Sequence, residues 1–554
     1  MKETSAHTRI IQMVAQTGKF REHAIARNWA AAGVVALALI FKFALLCLDV
    51  YPFNADEAIV ALMARHTLNG EWPIFFYGQA YMGSLDATLV AAGFKLFGQQ
   101  IWVIRLVQSV LFVGVLLTSM RLSTKLSKGS IPSLITGLLL AVPTVNLNLY
   151  TTVSLGGYGE ALLLGNLILL LSMAIRERGH SCWLHFLWGL SAGVGFWAFG
   201  LTLIYIIPAG IFVIYSRKAE GSRRSLKKGL TWMVLGVLVG AAPIWYWMSM
   251  HDPSTLVAEL LGSAVAGTSA SGYWSTVSNH LFSFVIFGLT AAFGLRAPWS
   301  TEIFFEPLAI GLAFFWAAVF IQFVRSLRGK SGSPAVARLL GGAVLVLIVG
   351  FILTPFGGDP SGRYFLPLTI MAAISAGLLF SHSNEWFPRW VAWALFAMAF
   401  TYQLAANFQV ALHSPSGFST QFDPIARIDH GADEALIEFL EEQGETRGYT
   451  NYWVAYPLAF KSNEQLIFIP RLPYHLDFRY TSRDNRYDPY NSLVDQSGRQ
   501  AYITTKHPEM DELIRMRFSA LDVTWREERI GDFQIFYDLS RPVLPEDIDT
   551  RFQR

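Results

Sequence analysis

The chain has 554 residues and is 53% hydrophobic, whereas charged residues make up only 15% of it. Soluble domains carry roughly 25% charged residues, so this deficit, together with long apolar runs, indicates a polytopic membrane protein. In lipid each backbone polar group must pair within its own segment, so a bundle of helices is expected. The formal net charge of +3 is too small and too dispersed to indicate nucleic-acid binding. The two cysteines lie far apart in apolar segments, which argues against a disulfide framework or a zinc site.

The N-terminal residues and the first apolar run determine the expected orientation. Residues 1–28 are basic and lead, without a cleavable signal pattern, into an apolar run at 29–50. Because positively charged flanks remain inside, we expect a cytoplasmic tail at 1–28, and residue 51 should emerge on the outer face. The chain is then divided into this tail, a membrane domain at 29–410 and a C-terminal domain at 411–554.

The later apolar runs predict further spans, so that about eleven helices in total cross the membrane. These spans are expected at residues 101–121, 131–149, 159–175, 183–199, 200–216, 229–249, 306–325, 339–354, 363–380 and 389–408. The loops that this arrangement leaves on the inner side all carry basic residues, in agreement with the positive-inside rule. The long connection at 250–305 is rich in Ser, Gly and aromatic residues and is expected to be an outer loop.

The first outer loop, residues 51–100, holds three acids in a stretch that is otherwise apolar and aromatic. They are Asp56, Glu57 and Asp86. A membrane crossing at 84–98 would place a basic loop outside. The segments 56–69 and 84–97 are therefore predicted to be amphipathic helices that lie at the outer interface.

Structural and functional explanations are both open for these acids. Asn54 can cap a helix, with Glu57 completing a capping box, and Asp56 in the first turn would favour the helix dipole. The box does not need Asp56, and a carboxylate at the mouth of a membrane cavity can take a proton from an acceptor hydroxyl or amine. We therefore predict that Asp56 is the catalytic base. Asp86 is either a first-turn acid after Ser84 or a second carboxylate of the same cavity.

Other polar residues occur where later spans begin. Glu160 follows Gly-Gly-Tyr-Gly at the outer end of a span, where a carboxylate is either simply hydrated or functional. Arg363 and Tyr364 begin another span after a turn rich in Pro and Gly. The guanidinium either snorkels to the interface or meets a lipid phosphate in a two-pronged contact, and we favour the phosphate.

The composition changes after residue 410, where charges become frequent and no run is long enough to span. Helix patterns at 433–443, 453–462 and 508–517 alternate with strand patterns at 446–451, 464–469, 500–505 and 532–539. This alternation predicts a small α/β domain. The predicted topology puts the domain on the outer face, beside the first loop.

The layout resembles the GT-C superfamily of membrane glycosyltransferases. An N-terminal span is followed by an outer loop that opens with DE at 56–57 and continues with YGQAYMGSLD at 77–86. These motifs, with GGYGE at 156–160 and GRYFLP at 362–367, are most similar to one bacterial branch. That branch is related to the dolichyl-phosphate-mannose protein mannosyltransferases and the lipid A aminoarabinose transferase. The resemblance covers roughly residues 30 to 410.

The resemblance implies an inverting glycosyltransferase of the bacterial inner membrane, with its active site extracytoplasmic. It would move a sugar from a polyprenyl-phosphate donor to a glycan, lipid or protein acceptor. The implied roles are Asp56 as base, Glu57, Asp86 and Glu160 as supporting acids, Arg363 and Tyr364 at the donor phosphate, and Tyr77, Gln79 and Tyr81 at the acceptor or in the loop. Family members differ in whether they need a divalent metal such as Mg or Mn. An Asp-x-Asp pair is absent from the first loop, and the metal requirement stays open.

Two other classes of protein remain as alternatives. A transporter or flippase of lipid-linked glycans would be expected to show internal repeats and helices broken at midplane, and no repeat is visible. A non-catalytic membrane assembly factor would use the C-terminal domain as a binding module. In that case Asp56→Asn should be silent, and truncation near residue 410 should abolish function.

Overall fold

The computed structural model describes residues 28–178, 181–219, 223–263, 272–381, 384, 387–413 and 423–552. Except for its last residue, the basic tail predicted at 1–28 lies outside the described residues. Helices make up most of the chain up to residue 413, and a mixed sheet follows it.

The membrane part consists of helices with short connections. In chain order they are α1 (Asn28–Cys47), α2 (Ala55–Leu68), α3 (Leu85–Phe97), α4 (Ile101–Ser127), α5 (Ser130–Ala141), α6 (Val145–Tyr150), α7 (Tyr158–Arg178), α8 (Cys182–Ala198), α9 (Leu203–Ala219), α10 (Arg223–Gly240), α11 (Ala242–Met248), α12 (Pro253–Leu260), α13 (Tyr273–Ser283), α14 (Leu289–Ala292), α15 (Glu306–Leu327), α16 (Pro334–Leu353), α17 (Leu366–Ala376) and α18 (Arg389–His413).

Eight helical segments of the described residues are long and apolar enough to cross a membrane. They are α1, α4, α7, α15, α16, α18 and the continuous segments Tyr273–Ala292 and Arg363–Phe380. The pair α10 and α11 forms a further candidate that is bent by 61°. The helical membrane fold predicted from composition is therefore confirmed.

Several predicted segments differ from the structure. The spans predicted at 183–199 and 200–216 correspond to α8 and to the shorter apolar helix Gly200–Ser216, neither of which is among the eight candidates, so the predicted number of about eleven spans is not confirmed. The run expected to span at 131–149 is divided into α5 and α6, because Pro143 lacks an N–H group and the Thr144 side chain caps α6. The stretch 250–305, predicted to be a loop, contains α12 and the apolar segment Tyr273–Ala292. The mean hydropathy of that segment is 1.2, the lowest of the eight candidates, because Ser, Asn and His interrupt its apolar residues.

The first loop, residues 51–100, forms α2, a short antiparallel hairpin of β1 (Phe75–Phe76) and β2 (Gln79–Gly83), and α3. Both predicted helices are present, but α2 does not lie on a surface. Twelve of its 14 residues are buried, because the C-terminal domain covers the side of α2 that an interfacial helix would expose. The ring of Phe460 from that domain packs 5.5 Å from the ring of Phe53.

The C-terminal domain, here residues 423–552, contains a five-stranded sheet. Its strands are β3 (Arg447–Thr450), β4 (Ile467–Pro470), β5 (Ala501–Thr505), β6 (Arg526–Ile530) and β7 (Phe533–Tyr537), and its helices are α19 (Asp433–Gln443), α20 (Tyr452–Lys461), α21 (Pro489–Asp495), α22 (Pro508–Ala520) and α23 (Pro545–Ile548). The strand order is β4-β3-β5-β7-β6, with β3 parallel to β4 and β5, and β7 antiparallel to β5 and β6.

The alternation of helix and strand predicted for this domain agrees with the structure, but β6, α21 and α23 were not predicted. The sequence of β6 is Arg-Glu-Glu-Arg-Ile, and its first four residues are exposed. An edge strand of charged residues lacks the apolar alternation that identifies strands, although such charges protect an edge against unwanted pairing.

The contact between the first loop and α8 generates a prediction about stability. A Cβ atom on Gly83 would lie 2.5 Å from the backbone oxygen of Trp197. Gly83→Ala must therefore displace the hairpin, and we expect a loss of about 1–3 kcal/mol in the free energy of unfolding. Thermal unfolding of the purified protein in detergent measures this loss. The control is Gly33→Ala, since no atom lies within 4 Å of the added Cβ; equal unfolding midpoints for the two variants would contradict the prediction.

Candidate functional site

Asp56 lies where the first turns of two helices meet. Asn54 caps α2 by accepting a hydrogen bond from the Glu57 N–H at 3.1 Å, so the predicted cap is present. Asp56 is half-buried between buried neighbours in the chain. The hydroxyl of Tyr452, the first residue of α20, donates to Asp56 Oδ1 at 2.5 Å. Burial and then the charge of Asp56 raise the pKa of Tyr452, so the hydroxyl keeps the proton that it donates.

Glu57 is directed to a different side of α2, towards α4 of the membrane part. Its carboxylate is fully buried and accepts hydrogen bonds from Arg105 of α4, from Nε at 3.2 Å and from Nη2 at 3.1 Å. The same Nη2 donates to the Tyr51 carbonyl at 2.7 Å. Burial raises the pKa of Glu57, and Arg105 opposes that shift. Glu57 thus does not complete a capping box; it joins α2 to α4 and so positions Asp56.

Asp86 and Glu160 form a second acidic group, separate from Asp56. The Gln108 amide donates to Asp86 Oδ1 at 2.7 Å, and the Ser154 hydroxyl donates to Oδ2 at 2.5 Å. Burial raises the pKa of Asp86 to about 6, and the hydrogen bonds from Ser154 and Gln108 oppose the shift. The structure brings these two acids together, and it links Asp86 to α4 and to the connection before α7.

Arg363 begins the segment that leads into α17. The preceding Gly362 has φ = +77°, and a Cβ there would lie 2.5 Å from the Ala291 side chain, so glycine is required at this turn. Arg363 Nη2 pairs with Asp359 Oδ2 at 2.6 Å, and the guanidinium lies 5.0 Å from the centroid of the Tyr364 ring. Arg363 Nε and the Tyr364 hydroxyl are buried and have no partner among the described residues.

The predicted loop residues Tyr77, Gln79 and Tyr81 lie in two environments. Tyr77 bonds to His66 Nδ1 at 2.8 Å and packs on an aromatic ring of the C-terminal domain. Tyr81 is instead buried near two arginines: burial raises its pKa, and Arg363 and Arg486 oppose the shift. The Gln79 amide nitrogen donates to the Tyr81 hydroxyl at 3.2 Å when its oxygen faces Arg486.

Three residues of the C-terminal domain approach this site and were missed by the sequence analysis. They are Tyr452, Asp484 and Arg486. Burial raises the pKa of Asp484 to about 7, with Arg486 opposing the shift and Asp56 adding to it. The stretch from Thr481 to Arg486, TSRDNR, has the composition of a solvated loop, so the sequence gives no sign that it faces the first loop.

Among the described residues no three His, Cys, Asp or Glu side chains are arranged to hold a metal ion. Glu57 is paired with Arg105, and Asp86 accepts hydrogen bonds on both oxygens. Neither Glu57 nor Asp86 therefore has a free carboxylate oxygen to offer to a Mg or Mn ion.

Most of the chain is similar in structure to two solved proteins. ArnT from Cupriavidus metallidurans, bound to undecaprenyl phosphate, matches with a TM-score of 0.57 and 15% identity, covering 92% of this chain and 98% of that chain. The Archaeoglobus fulgidus oligosaccharyltransferase in the apo form matches with a TM-score of 0.50 and 12% identity, covering 88% and 71%. No family model matches the sequence. No curated protein matches it either.

Both solved proteins belong to the GT-C superfamily of membrane glycosyltransferases. At these identities the similarity establishes the fold. The chain therefore shares the fold of these two proteins over most of its length, and the resemblance of its sequence motifs had predicted this fold for roughly residues 30 to 410.

The pair of Glu57 and Arg105 generates a second prediction. Glu57→Gln leaves a buried guanidinium without its counter-charge, so we expect the free energy of unfolding to fall by about 3–5 kcal/mol. Replacing both residues by Leu should restore much of this loss, as measured by thermal unfolding in detergent. The control is Lys125→Ala, which breaks the exposed pair with Glu177 and should cost at most about 1 kcal/mol. A Glu57→Gln variant no less stable than this control would contradict the assignment.

The raised pKa of Asp86 generates a third prediction. Because the folded protein binds this proton more tightly than the unfolded chain, stability should fall as the pH rises from about 4 to 7. Asp86→Asn is neutral throughout and should flatten this part of the profile without destabilising the protein at pH 8. Unfolding midpoints measured across this pH range test it, with Asp252→Asn on an exposed loop as control. An unchanged slope in Asp86→Asn would contradict the prediction.

Proposed function

We propose that the chain is an inverting glycosyltransferase that moves a sugar from a polyprenyl-phosphate donor to an acceptor on the outer face of the bacterial inner membrane. The observation that carries the proposal is the position of Asp56. This half-buried carboxylate lies between the membrane part and the C-terminal domain, with the arginines Arg363 and Arg486 nearby. The GT-C fold supports the general class of reaction.

Asp56 is suited to act as the base. Tyr452 occupies Oδ1, and no described residue donates a hydrogen bond to Oδ2. An acceptor hydroxyl can therefore donate to Oδ2 and lose its proton there as the acceptor oxygen forms a bond to the anomeric carbon. The bond from that carbon to the phosphate oxygen breaks, and the phosphate leaves with the electron pair. Attack from the face opposite the phosphate inverts the configuration of the sugar.

The leaving phosphate needs positive charge, because it gains a negative charge as the bond breaks. Arg363, with its buried Nε donor and the Tyr364 hydroxyl beside it, is the group we assign to this role. Arginine binds phosphate through two parallel hydrogen bonds, which also fix the orientation of the donor. Asp359 already balances part of the Arg363 charge.

The other predicted acids have supporting roles in this mechanism. Glu57 holds α2 against α4, and Asp86 joins α3 to α4 and to the connection before α7, with Glu160 beside it. The acceptor would enter between the first loop and the C-terminal domain. A glycan, a lipid or a protein is compatible with that entrance.

The fourth prediction tests Asp56 as the base. Asp56→Asn keeps the size of the side chain and the bond to Tyr452 but cannot take a proton. We expect sugar transfer to fall about 10²- to 10⁴-fold, while binding of the lipid donor is retained. The assay uses the purified protein, labelled polyprenyl-phosphate sugars and a membrane extract as the pool of acceptors. The matched control is Glu71→Gln, an exposed acid of the same loop, which should transfer at the wild-type rate.

The outcomes of this assay distinguish the assignment of Asp56 as the base from the assignment of the chain to the glycosyltransferases. Transfer at the wild-type rate by Asp56→Asn would contradict the role of Asp56 but not the class of enzyme. Absence of transfer by the wild-type protein from a broad panel of donors would contradict the proposed function, and the transporter and assembly-factor alternatives would then lead.

A further inference from the structure

Arg486 is held against the first loop by close packing. Gly78, with φ = +69°, forms the turn between β1 and β2, and a Cβ there would lie 3.0 Å from Arg486 Cδ. The oxygen of the Gln79 amide, in the orientation described above, accepts from Arg486 Nη1 at 2.7 Å and from Nη2 at 2.9 Å. The guanidinium lies 5.6 Å from the centroid of the Tyr452 ring. Arg486 thus touches the residue that binds Asp56 and the turn that carries Gln79.

The charge of Arg486 is incompletely compensated. Its Nε is buried and has no hydrogen-bond partner among the described residues. Asp484 acts on it through space, but the pKa of Asp484 is raised to about 7, so this acid is only partly ionised near neutral pH. A buried guanidinium with an unused donor is costly to maintain unless an anion completes its environment.

Arg486 and Arg363 belong to different domains but act on the same side chain, Tyr81. Both have a buried Nε without a protein partner. They differ in one respect, because Arg363 is paired with Asp359 at 2.6 Å, whereas Arg486 forms no ion pair within the part of the chain that the structure describes. Less of the positive charge of Arg486 is already paired, so Arg486 can accept an additional anion more readily than Arg363.

We propose that Arg486 is a second donor-binding arginine, which contacts the phosphate of the polyprenyl-phosphate sugar opposite Arg363. The C-terminal domain then completes the site for the lipid-linked donor and is more than a surface for the acceptor. This inference rests on the proposed function, because it takes the donor class from it.

Two arginines suit the charge of the reaction. The phosphodiester of the donor carries one negative charge. When the bond between the anomeric carbon and the phosphate oxygen breaks, that oxygen keeps the electron pair and the polyprenyl phosphate gains a second negative charge. The acceptor proton goes to Asp56, so no additional reactant is needed. A second guanidinium stabilises the leaving phosphate, with its additional negative charge, more than it stabilises the bound donor. Such preferential stabilisation of the charge that develops in the transition state accelerates the transfer.

The test measures the preference of the purified full chain for undecaprenyl phosphate over the uncharged alcohol undecaprenol. The ratio of the two affinities reports recognition of phosphate separately from recognition of the lipid chain. In Arg486→Gln we expect this ratio to fall about 10- to 100-fold, while undecaprenol binds as in wild type. The matched control is Arg479→Gln, an exposed arginine of the same segment, which should keep the wild-type ratio.

A second variant makes the test independent of the folding of Arg486→Gln. Gln79→Glu has nearly the same shape and places a carboxylate on Arg486, so it should lower the same ratio by neutralising the guanidinium and repelling the phosphate. An unchanged ratio in folded Arg486→Gln overturns the proposal. If that variant does not fold, an unchanged ratio in Gln79→Glu overturns it, and a lowered ratio supports it.

The same measurement separates this inference from the proposed function. A wild-type protein without preference for the phosphate over the alcohol would contradict the donor class and with it the inference. A wild-type preference that survives in both variants would contradict the role of Arg486 alone.

Discussion

The enclosure of α2 from two sides is the constraint on which the candidate site depends. Consecutive residues of a helix point about 100° apart, so Asp56 and Glu57 cannot face the same surroundings. Glu57 turns into the membrane part and pairs with Arg105, whereas Asp56 turns to the C-terminal domain and meets Tyr452. With one acid fixed on each side, α2 can neither rotate nor shift without breaking a buried interaction.

The far end of α2 is held in the same way. Arg65 donates to the Phe460 carbonyl at 3.1 Å and pairs with Glu464 at 3.5 Å, and His66 Nε2 lies 2.9 Å from the same carboxylate. Tyr490 donates a further hydrogen bond to Glu464 at 2.7 Å. Contacts at both ends of one helix make the C-terminal domain part of the framework around Asp56, so a change in the packing of that domain would be transmitted to the carboxylate.

What the sequence could predict was local. Asn54 as a cap, the existence of α2 and α3 and most elements of the C-terminal domain follow from patterns within a few residues, and the structure contains them. The partners of the acids could not be predicted in this way. Arg105 is 48 positions from Glu57, and Tyr452 is 396 positions from Asp56. A propensity pattern contains no information at those separations, and Arg486 lies in a segment with the composition of an ordinary polar loop.

The environments of the acids argue for a division of roles. A carboxyl group that must accept a proton during a reaction needs access to a substrate, whereas a carboxyl group that joins helices needs fixed donors. Glu57 and Asp86 have fixed donors and are buried. Asp56 has one donor, Tyr452, and a second oxygen available to a ligand, and Arg486 lies 5.6 Å from the centroid of the Tyr452 ring. The same chain therefore places several acids close together and leaves one of them, Asp56, with an oxygen to which no described residue donates a hydrogen bond.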